Sequence, residues 1–331
     1  MSKLTTTINL INEWHEKTQE LPRPHLGCSQ IGNSCERALW LNFRWAVIPK
    51  FEGRLLRLFR RGHNEEMTII RDLRSIGVDI RGSQAKVDFG KHFGGSVDGV
   101  IFSGLPESPN KKHIVEFKTH SKKSFEDLVK HGVEKSKPLH YAQMQVYMLG
   151  TGVDRAFYYA VCKDNDEIYT ERVRLDKAYA EKMVAKAHRI TMSEGLPPPI
   201  INDETWYECK MCDAHDFCYG SKMTKEANCR TCAHVTPMED STWRCSKWDD
   251  TIPLDAQRTG CDYHVVHPEL VPFKFKPAHD EWHAIYIVKN KEVLNGNDGF
   301  KSSELLANPD ECADPSDFTK ELRETMGAKI I

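Results

Sequence analysis

Apolar residues in the first part of the chain recur first at helical and then at strand-like spacing. Apolar positions three to four residues apart predict helices over residues 3–19, from Cys35 to Arg44, and from Arg54 to Ile76. Beyond Gly77 the apolar residues fall instead into short β-rich runs separated by glycines. These runs predict strands at residues 78–81, 85–89, 93–102 and 113–119.

The middle of the chain returns to helical spacing and then to strands. Two helices are predicted, over residues 122–131 and 139–149. Residues 155–162 and 167–174 predict a β-hairpin, because two β-rich runs flank a short polar turn. A further helix is predicted over residues 177–193, and three consecutive prolines after it indicate a boundary.

After residue 200 the hydrophobic periodicity fades. Residues 205–270 are rich in Cys, Trp, His and Asp, and they cannot build much apolar core, so bound metal is expected to substitute for it. Residues 282–293 predict a pair of strands, and residues 316–326 predict a final helix. The fold class predicted is therefore α/β, with a mixed central sheet flanked by helices and a Cys-rich, metal-stapled C-terminal region.

Composition and charge narrow the function classes. The 331 residues include 46 Lys plus Arg and 48 Asp plus Glu, a net charge of −2, so any grip on nucleic acid must come from a local patch. No apolar run approaches the ~20 residues of a membrane-spanning helix, and the first residues lack a signal-peptide core. We therefore expect a cytoplasmic protein with no membrane partner, in the host cytoplasm if the chain is viral.

Acidic residues and a lysine in the predicted sheet form the first candidate site. Asp98 stands between apolar residues, and Glu116 and Lys118 are two residues apart in a strand, so they point to one face while Val115 and Phe117 face the core. Mg²⁺ or Mn²⁺ prefers oxygen ligands, which Asp98, Glu116 and the Phe117 carbonyl would supply. Lys118 would orient or deprotonate a water. The alternative is a turn at Asp98 and a solvated charge pair on the strand.

Two helices frame this group. Glu66 lies on the apolar stripe of the long helix, where a carboxylate is costly without a partner. Gln143 and Tyr147 are four residues apart, which puts them on one face of a later helix. The alternative for that pair is a packed tyrosine and a surface amide.

In this order, the acid-bearing helix, the Asp strand, the Glu-x-Lys strand and the Gln-x-x-x-Tyr helix resemble the RecB-like branch of the PD-(D/E)XK nucleases, which includes lambda-type exonucleases. The resemblance covers about residues 30–220 and implies a restriction-endonuclease-like core. It implies that Asp98 and Glu116 bind metal, that Lys118 is catalytic, and that Gln143 and Tyr147 contact DNA or support the site.

Two positions depart from that pattern or leave a choice within it. Val97 precedes Asp98, where the superfamily's name calls for proline. In the upstream helix, Glu66 fits a Gly-x-x-x-Glu pattern, but relatives sometimes use histidine there, so Glu65 and His63 remain alternatives. The resemblance thus implies six catalytic positions: Glu66, Asp98, Glu116, Lys118, Gln143 and Tyr147.

The first of two cysteine groups follows the predicted nuclease core. Cys209, Cys212 and Cys218 have C-x2-C-x5-C spacing, and Cys35, in a Cys-x-Arg-x-x-Trp context, is the best fourth ligand. One cysteine before the core and three after it resemble the iron-sulfur staple of AddB-type and CRISPR-associated RecB-like nucleases. That resemblance implies a [4Fe-4S] cluster. Zinc in the same thiolates, Cys28 as the fourth ligand, and no metal are the alternatives.

The second group has five candidate ligands for four places. Cys229, Cys232, Cys245 and Cys261 predict a structural Zn²⁺ site, with His264 as an alternative fourth ligand and a second iron-sulfur cluster as another alternative. No open coordination position is evident, so the role expected is structural. Two other cysteines, in the hairpin and in the tail, are assigned no function.

The function expected is a Mg²⁺- or Mn²⁺-dependent deoxyribonuclease, an exonuclease of recombination, repair or viral (phage) DNA replication. Alternatives are a structure-selective or single-strand endonuclease and a non-catalytic DNA-binding module. DNA is the expected partner, with a single-strand-binding protein, a recombinase or a helicase as further candidates. No ATP site is expected, because no phosphate-binding Gly-x4-Gly-Lys-Ser/Thr loop occurs.

The domain organisation predicted is an N-terminal helix and linker (1–28), a nuclease domain with the iron-sulfur staple (29–222), a zinc module (223–270) and a small α/β tail (271–331).

Overall fold

The computed structural model describes residues 3–82 and 85–328, and side chains from Thr6 onward. The predicted first and last segments therefore include residues 1–2 and 329–331, which lie outside these ranges. The chain divides into two compact units, one of Met1–Asn33 with Lys50–Arg189, the other of Ser34–Pro49 with Ile190–Ile331. The division into four segments was drawn from motifs, and it stays a prediction.

Helices and strands alternate along most of the described chain. The helices are α1 (Lys3–Lys17), α2 (Glu36–Phe43), α3 (Gly53–Ser75), α4 (Lys122–Ser136), α5 (Pro138–Thr151), α6 (Lys177–Thr191), α7 (Tyr207–Lys210), α8 (His215–Tyr219), α9 (Leu254–Thr259), α10 (Ser302–Ala307), α11 (Pro309–Ala313) and α12 (Asp317–Met326). The strands of the first unit are β1 (Leu26–Gly27), β2 (Asp79–Arg81), β3 (Ala85–Asp88), β4 (Phe93–Val97), β5 (Gly99–Ser103), β6 (His113–His120), β7 (Arg155–Cys162) and β8 (Ile168–Arg174). Those of the second unit are β9 (Val235–Pro237), β10 (Trp243–Cys245), β11 (Asp250–Thr251), β12 (Lys274–Pro277), β13 (Ala284–Val288) and β14 (Lys291–Asn295).

A five-stranded mixed sheet forms the centre of the first unit. Its order is β2-β5-β6-β7-β8, in which β6 and β7 are parallel and the other neighbours are antiparallel. A smaller sheet of β1, β4 and β3 lies in the same unit. Helix α3 contacts β2 and β6, and α4 and α5 contact β6 and β7. The predicted α/β class, a mixed central sheet flanked by helices, is confirmed.

The two faces of β6 have different neighbours. On one face, Val115 and Phe117 join a buried apolar cluster with Ile69, Ile70 and Leu73 of α3. Residues of β7 on that face, Phe157 and Tyr159 among them, belong to the same cluster. Glu116 and Lys118 alternate with these core residues and therefore point to the opposite face. The apolar core thus fixes which way the candidate site faces.

The single strand predicted over residues 93–102 is wrong in one respect, because the chain changes sheets at Asp98. β4 ends at Val97 and pairs with β1 and β3, whereas β5 begins at Gly99 and pairs with β2 and β6. The carboxylate of Asp98 accepts a hydrogen bond from the Phe117 amide, 3.0 Å away. A side chain that caps a neighbouring strand in this way replaces a ladder hydrogen bond, so the break falls at the acidic residue.

The second unit is built from short elements. Strands β9, β10 and β11 form one antiparallel sheet, and β12, β13 and β14 form another. The predicted strand pair at 282–293 is present, with β12 as a third strand that periodicity missed. Among the described residues, no helix combines the length and the apolar character needed to span a membrane.

The segment Ser34–Pro49 belongs to this second unit although it is distant in sequence from the rest. The guanidinium of Arg230 lies 3.6 Å from the ring centroid of Trp45 and donates to the Phe43 carbonyl at 2.9 Å. Asn228 donates to the Trp45 carbonyl at 3.2 Å, and the Thr224 hydroxyl donates to the Ala46 carbonyl at 2.7 Å. A buried cation and three hydrogen bonds therefore hold this segment in the unit.

Candidate active site and cysteine clusters

Strand β6 presents an acid and a base as an ion pair. The Lys118 ammonium contacts the Glu116 carboxylate, whose side chain is completely buried, while 27% of the Lys118 side chain remains exposed. The predicted geometry, with both side chains on one face and Phe117 in the core, is what the structure has. The Lys118 side chain therefore contacts both the buried carboxylate and solvent.

Asp98 reaches the same strand from the break between β4 and β5. Its Oδ2 atom accepts the hydrogen bond from the Phe117 amide. The amide and carbonyl of one strand residue point to the same edge, so the Phe117 carbonyl lies on the Asp98 side of β6. The structure thus brings together Asp98, Glu116, Lys118 and the Phe117 backbone.

Burial dominates the electrostatics of the Glu116 carboxyl. Its desolvation raises the pKa to about 8, against the opposing effect of the Lys118 ammonium, and Asp98 and Glu66 add to the increase. Burial acts to lower the pKa of Lys118, but the carboxylates around it raise it. Glu116 Oε2 is buried and has no hydrogen-bond partner among the described residues. A buried carboxylate oxygen without a partner is costly unless a proton or a cation meets it.

Glu66 on α3 is the acid of the upstream helix that faces this group. It is half-buried, and burial raises its pKa, with a further increase from Asp98 and the opposite effect from His63 and Lys118. Glu65 acts instead on Tyr159, on the other face of the sheet, whose pKa is raised by burial and then by nearby carboxylates. Of the predicted alternatives, Glu66 is the one whose charge interacts with Asp98 and Lys118, and His63 is an exposed neighbour.

Gln143 and Tyr147 lie on one face of α5, and both are buried, with 6% and 3% of their surface exposed. Their side chains are hydrogen-bonded, and burial raises the pKa of the Tyr147 hydroxyl, with further contributions from Cys28 and Glu116. Tyr147 packs so closely on Gly95 of β4 that an added Cβ would lie 2.6 Å from its hydroxyl. Both side chains are therefore enclosed by protein.

The sequence analysis missed a buried network beside the site. The Tyr158 hydroxyl is 2.9 Å from both His120 Nε2 and His140 Nδ1. Tyr158 pairs in register with Glu116. Burial lowers the pKa of His120 to about 4 and that of His140 to about 2, with Lys118 contributing in both cases. The parallel register of β6 and β7, which periodicity does not reveal, is what joins these residues.

The four cysteines proposed for the first metal group all belong to the second unit. Burial raises the pKa of Cys212, and Cys35 and Cys218 raise it further. Burial likewise raises the pKa of Cys218, while a hydrogen bond from Arg37 acts in the opposite direction. The alternative ligand Cys28 lies in the first unit, beside Tyr147, and burial raises its pKa to about 12. The four thiols Cys35, Cys209, Cys212 and Cys218 thus form an interacting group.

The second group also gathers its four cysteines. Burial raises the pKa of Cys229 to about 11, with contributions from Cys261 and Cys245. Burial raises that of Cys232 to about 12, with contributions from Cys229 and Cys245.

His264, the alternative fourth ligand, has other partners. Its Nε2 is 2.9 Å from the Asn228 carbonyl, and its Nδ1 is 2.8 Å from the Ser302 hydroxyl. Both ring nitrogens are therefore engaged, which favours the four thiols as the ligand set.

In neither cysteine group do the sulfur atoms lie as close together as ligands around one ion would. Within residues 3–82 and 85–328, one group of three potential ligand residues has its ligand atoms all within 4.8 Å of one another. This group is His279, Asp280 and His283. All eleven cysteines are free thiols. The thiols of each group are close enough to interact electrostatically but are held apart as a set.

Comparison with known proteins finds likeness at the level of structure alone. No protein-family model matches the sequence, and no curated protein matches it. The crystal structure of SSO0001 aligns over 65% of this chain and 96% of its own, at 16% identity and a TM-score of 0.41. LHK-Exo, an alkaline exonuclease from Laribacter hongkongensis solved with dAMP, aligns over 55% and 90%, at 16% identity and 0.37. A phage-related exonuclease from Haemophilus somnus aligns over 53% and 96%, at 18% identity and 0.35. At these identities and TM-scores the likenesses assign no activity to this chain.

Proposed function

We propose that the chain is a metal-dependent DNA nuclease that hydrolyses phosphodiester bonds, with its active site at the end of β5 and on β6. The observation that carries this proposal is the convergence of Asp98, Glu116 and Lys118, with Glu116 Oε2 buried and without a hydrogen-bond partner in the described part of the chain. Three carboxylates, counting Glu66, surround one ammonium, so the group has a surplus of negative charge. Such a group favours a divalent cation and opposes a bare phosphate.

The donor set fits Mg²⁺ or Mn²⁺. Asp98, Glu116 and the Phe117 carbonyl offer hard oxygen ligands, and a cation at Glu116 Oε2 would compensate a buried carboxylate whose pKa burial raises. When bound, the ion would polarise the phosphate and lower the pKa of a water molecule. Because burial raises the pKa of Glu116 to about 8, metal binding below that pH displaces a proton from this carboxyl.

The chain's own residues supply orientation and charge. Lys118 is fixed by Glu116 at its buried side and exposed at its other side, so its ammonium is available to a phosphate oxygen or to the attacking water. The Phe117 amide holds Asp98 in one orientation. Glu66 lies in the outer part of the site, where its half-buried carboxylate acts on Asp98 and Lys118. Tyr147, hydrogen-bonded to Gln143, packs α5 against β4, the strand that leads to Asp98.

An exonuclease is the form of this activity that the motif order favours, with a place in recombination, repair or viral DNA replication. A single-strand-binding protein, a recombinase or a helicase would then act on the same DNA. A structure-selective endonuclease remains the second form, and circular single-stranded DNA separates the two because an exonuclease needs an end. A DNA-binding module without catalysis would bind both substrates and cut neither.

The experiment that tests the proposal is digestion of end-labelled linear DNA with Mg²⁺ or Mn²⁺. Asp98→Asn and Glu116→Gln are expected to reduce the rate at least ~10³-fold, because each removes a charge at the reacting phosphate. The matched control is Asp79→Asn, which, like Glu116→Gln, neutralises the acid of an ion pair between strand residues two apart, but on the edge strand β2 away from the site. Equal digestion by the parent and both site variants would overturn the assignment.

We also propose that the two cysteine groups hold metal: a [4Fe-4S] cluster in the first, with zinc as its competitor, and structural Zn²⁺ in the second. The thiols of each group interact, and the second unit offers little sheet structure around them. Anaerobic purification with iron and zinc counts tests both sites. Cys35→Ser is expected to remove the iron and the visible absorbance, whereas Cys28→Ser is expected to keep them. The reverse result would move the fourth ligand to Cys28.

A further inference from the structure

A histidine-aspartate cluster outside both cysteine groups lies in the loop between β12 and β13. His279 Nε2 is 3.1 Å from Asp280 Oδ2, and His283 Nδ1 is 2.8 Å from Asp280 Oδ1. The two imidazole rings are stacked, with centroids 5.4 Å apart. One carboxylate is therefore clamped between two imidazole nitrogens of the same short loop.

The burial of this cluster is uneven. Only 7% of the His283 side chain is exposed, against 33% for Asp280 and 68% for His279. The other ring nitrogen of His283, Nε2, lies 3.6 Å from Asp298 Oδ2, beyond hydrogen-bond distance, and it has no hydrogen-bond partner in residues 3–82 and 85–328. Gly296, at a φ of 146°, makes room for the ring, because an added Cβ would lie 2.3 Å from His283 Cδ2. The His283 imidazole thus occupies a buried position that a larger residue at 296 would obstruct.

Ion pairing alone explains the cluster poorly. Two good ion pairs to Asp280 would require both histidines to be protonated, yet an imidazole is mostly neutral at pH 7 and two stacked imidazolium rings repel each other. Neutral rings can each donate one N–H to Asp280 instead. A cation between the three ligand atoms can take the place of these two protons, because neutral imidazoles and a carboxylate are its natural ligands.

We propose that His279, Asp280 and His283 form a binding site for one divalent transition-metal ion, with Zn²⁺ as its representative. Asp298, on the far side of the His283 ring, is a positioning residue: a carboxylate there selects the tautomer that leaves Nδ1 free for the metal. The exposed His279 side leaves coordination positions open to solvent. Bound metal pins the β12–β13 loop against the loop that follows β14. This site is independent of the proposed nuclease chemistry, which lies in the other unit.

The test measures Zn²⁺ binding to the full-length protein by competition with a chromogenic chelator, after the cysteine groups have been filled. The parent is expected to bind one more ion than His279→Gln, a variant that changes an exposed side chain and leaves the buried ring in place. Asp298→Asn is expected to weaken that ion's binding by about tenfold. The matched control is His131→Gln, which removes an exposed histidine in contact with a single aspartate, 3.0 Å away, and should leave the count unchanged.

Acidification supplies a second readout. Because the ligand histidines must be deprotonated, acidification should release the extra ion from the parent, and protons should be released when the ion binds. The same zinc count and affinity in the parent and in His279→Gln would overturn the proposal. Loss of the ion from His131→Gln would overturn it as well, since that result would show general instability. Nuclease activity enters none of these readouts, so they do not depend on the proposed function.

Discussion

The two candidate metal regions of the molecule hold similar groups by different means. In the first unit, Glu116 lies in the middle of an eight-residue strand with neighbours on both sides. In the second unit, Cys229 and Cys232 border a three-residue turn, and Cys245 ends a three-residue strand. Burial raises the pKa of the acidic group in both places. We expect the sheet to preform its site and the cysteine region to depend on its ion for its shape.

The largest effect is expected where the metal replaces a core. Cys232→Ser should destabilise residues 223–270 by several kcal/mol, because a structural zinc site contributes on the order of 10 kcal/mol to folding. Hydrogen exchange on the full chain should then show lost protection in β9 and β10 but not in β6 and β7. The control is Cys312→Ser, which alters a buried cysteine outside both groups. Unchanged protection in the Cys232 variant would mean that the region folds without metal.

The second effect concerns chemistry alone. Lys118→Met should lower kcat by about 10²–10³-fold, because it removes a charged donor from the reacting phosphate while keeping a similar volume. The protein should remain folded, since the buried Glu116 carboxyl can stay protonated. Lys112→Met, which changes an exposed lysine stacked on Phe102, is the control and should retain the parent's rate. A fall in both variants alike would point to DNA binding in place of a specific role.

The third effect is a pH dependence in the first unit. Burial lowers the pKa of His120 to about 4, with contributions from Lys137, Lys118 and Lys163, so the unfolded chain takes up a proton at higher pH than the folded one. The stability that His120 contributes is therefore complete above about pH 6.5 and is lost as the pH falls towards 4, by at most about 3 kcal/mol.

Chemical denaturation at several pH values measures this contribution. His120→Gln should flatten the fall in the free energy of unfolding between pH 6.5 and 4. The exposed His131, changed to Gln, should leave the slope as it is in the parent. An unchanged slope in the His120 variant would show that other groups cause the acid sensitivity.

The smallest effect probes how tightly the first site is packed. Gly95→Ala should cost about 1–3 kcal/mol, because its Cβ would meet the Tyr147 hydroxyl at 2.6 Å. Gly62→Ala has open space around its Cβ within a helix and should stabilise the protein by up to about 1 kcal/mol. Thermal unfolding of the two variants checks the opposite signs. An unchanged or raised unfolding temperature in Gly95→Ala would indicate that Tyr147 moves aside freely.

Much of the first unit could be predicted from periodicity. The hairpin over β7 and β8 and the alternation of Glu116 and Lys118 with Val115 and Phe117 are local patterns, and the structure confirms them. The break at Asp98 could not be predicted in this way, because it depends on a hydrogen bond to a residue nineteen positions away. The network around Tyr158 also depends on which strands lie side by side.

The second unit was less predictable because its order comes from side chains in short loops. The cysteine spacing identified the two groups, but it did not indicate that both ring nitrogens of His264 have other partners. The His279 cluster could not be predicted from periodicity, because two histidines and an aspartate in one loop have none. Its significance depends on the burial of His283 and on the nearness of Asp298, both of which are tertiary facts.

The interleaved path of the chain has a practical consequence for anyone who wishes to express the halves separately. A fragment that starts at residue 190 would lack Phe43, Trp45 and Ala46, so the Arg230 guanidinium would lose the Trp45 ring and the Phe43 carbonyl and keep the Trp243 ring, whose centroid lies 4.7 Å away. No single cut yields both halves intact. A usable C-terminal half would need residues 34–49 supplied as a separate peptide or grafted through a new linker.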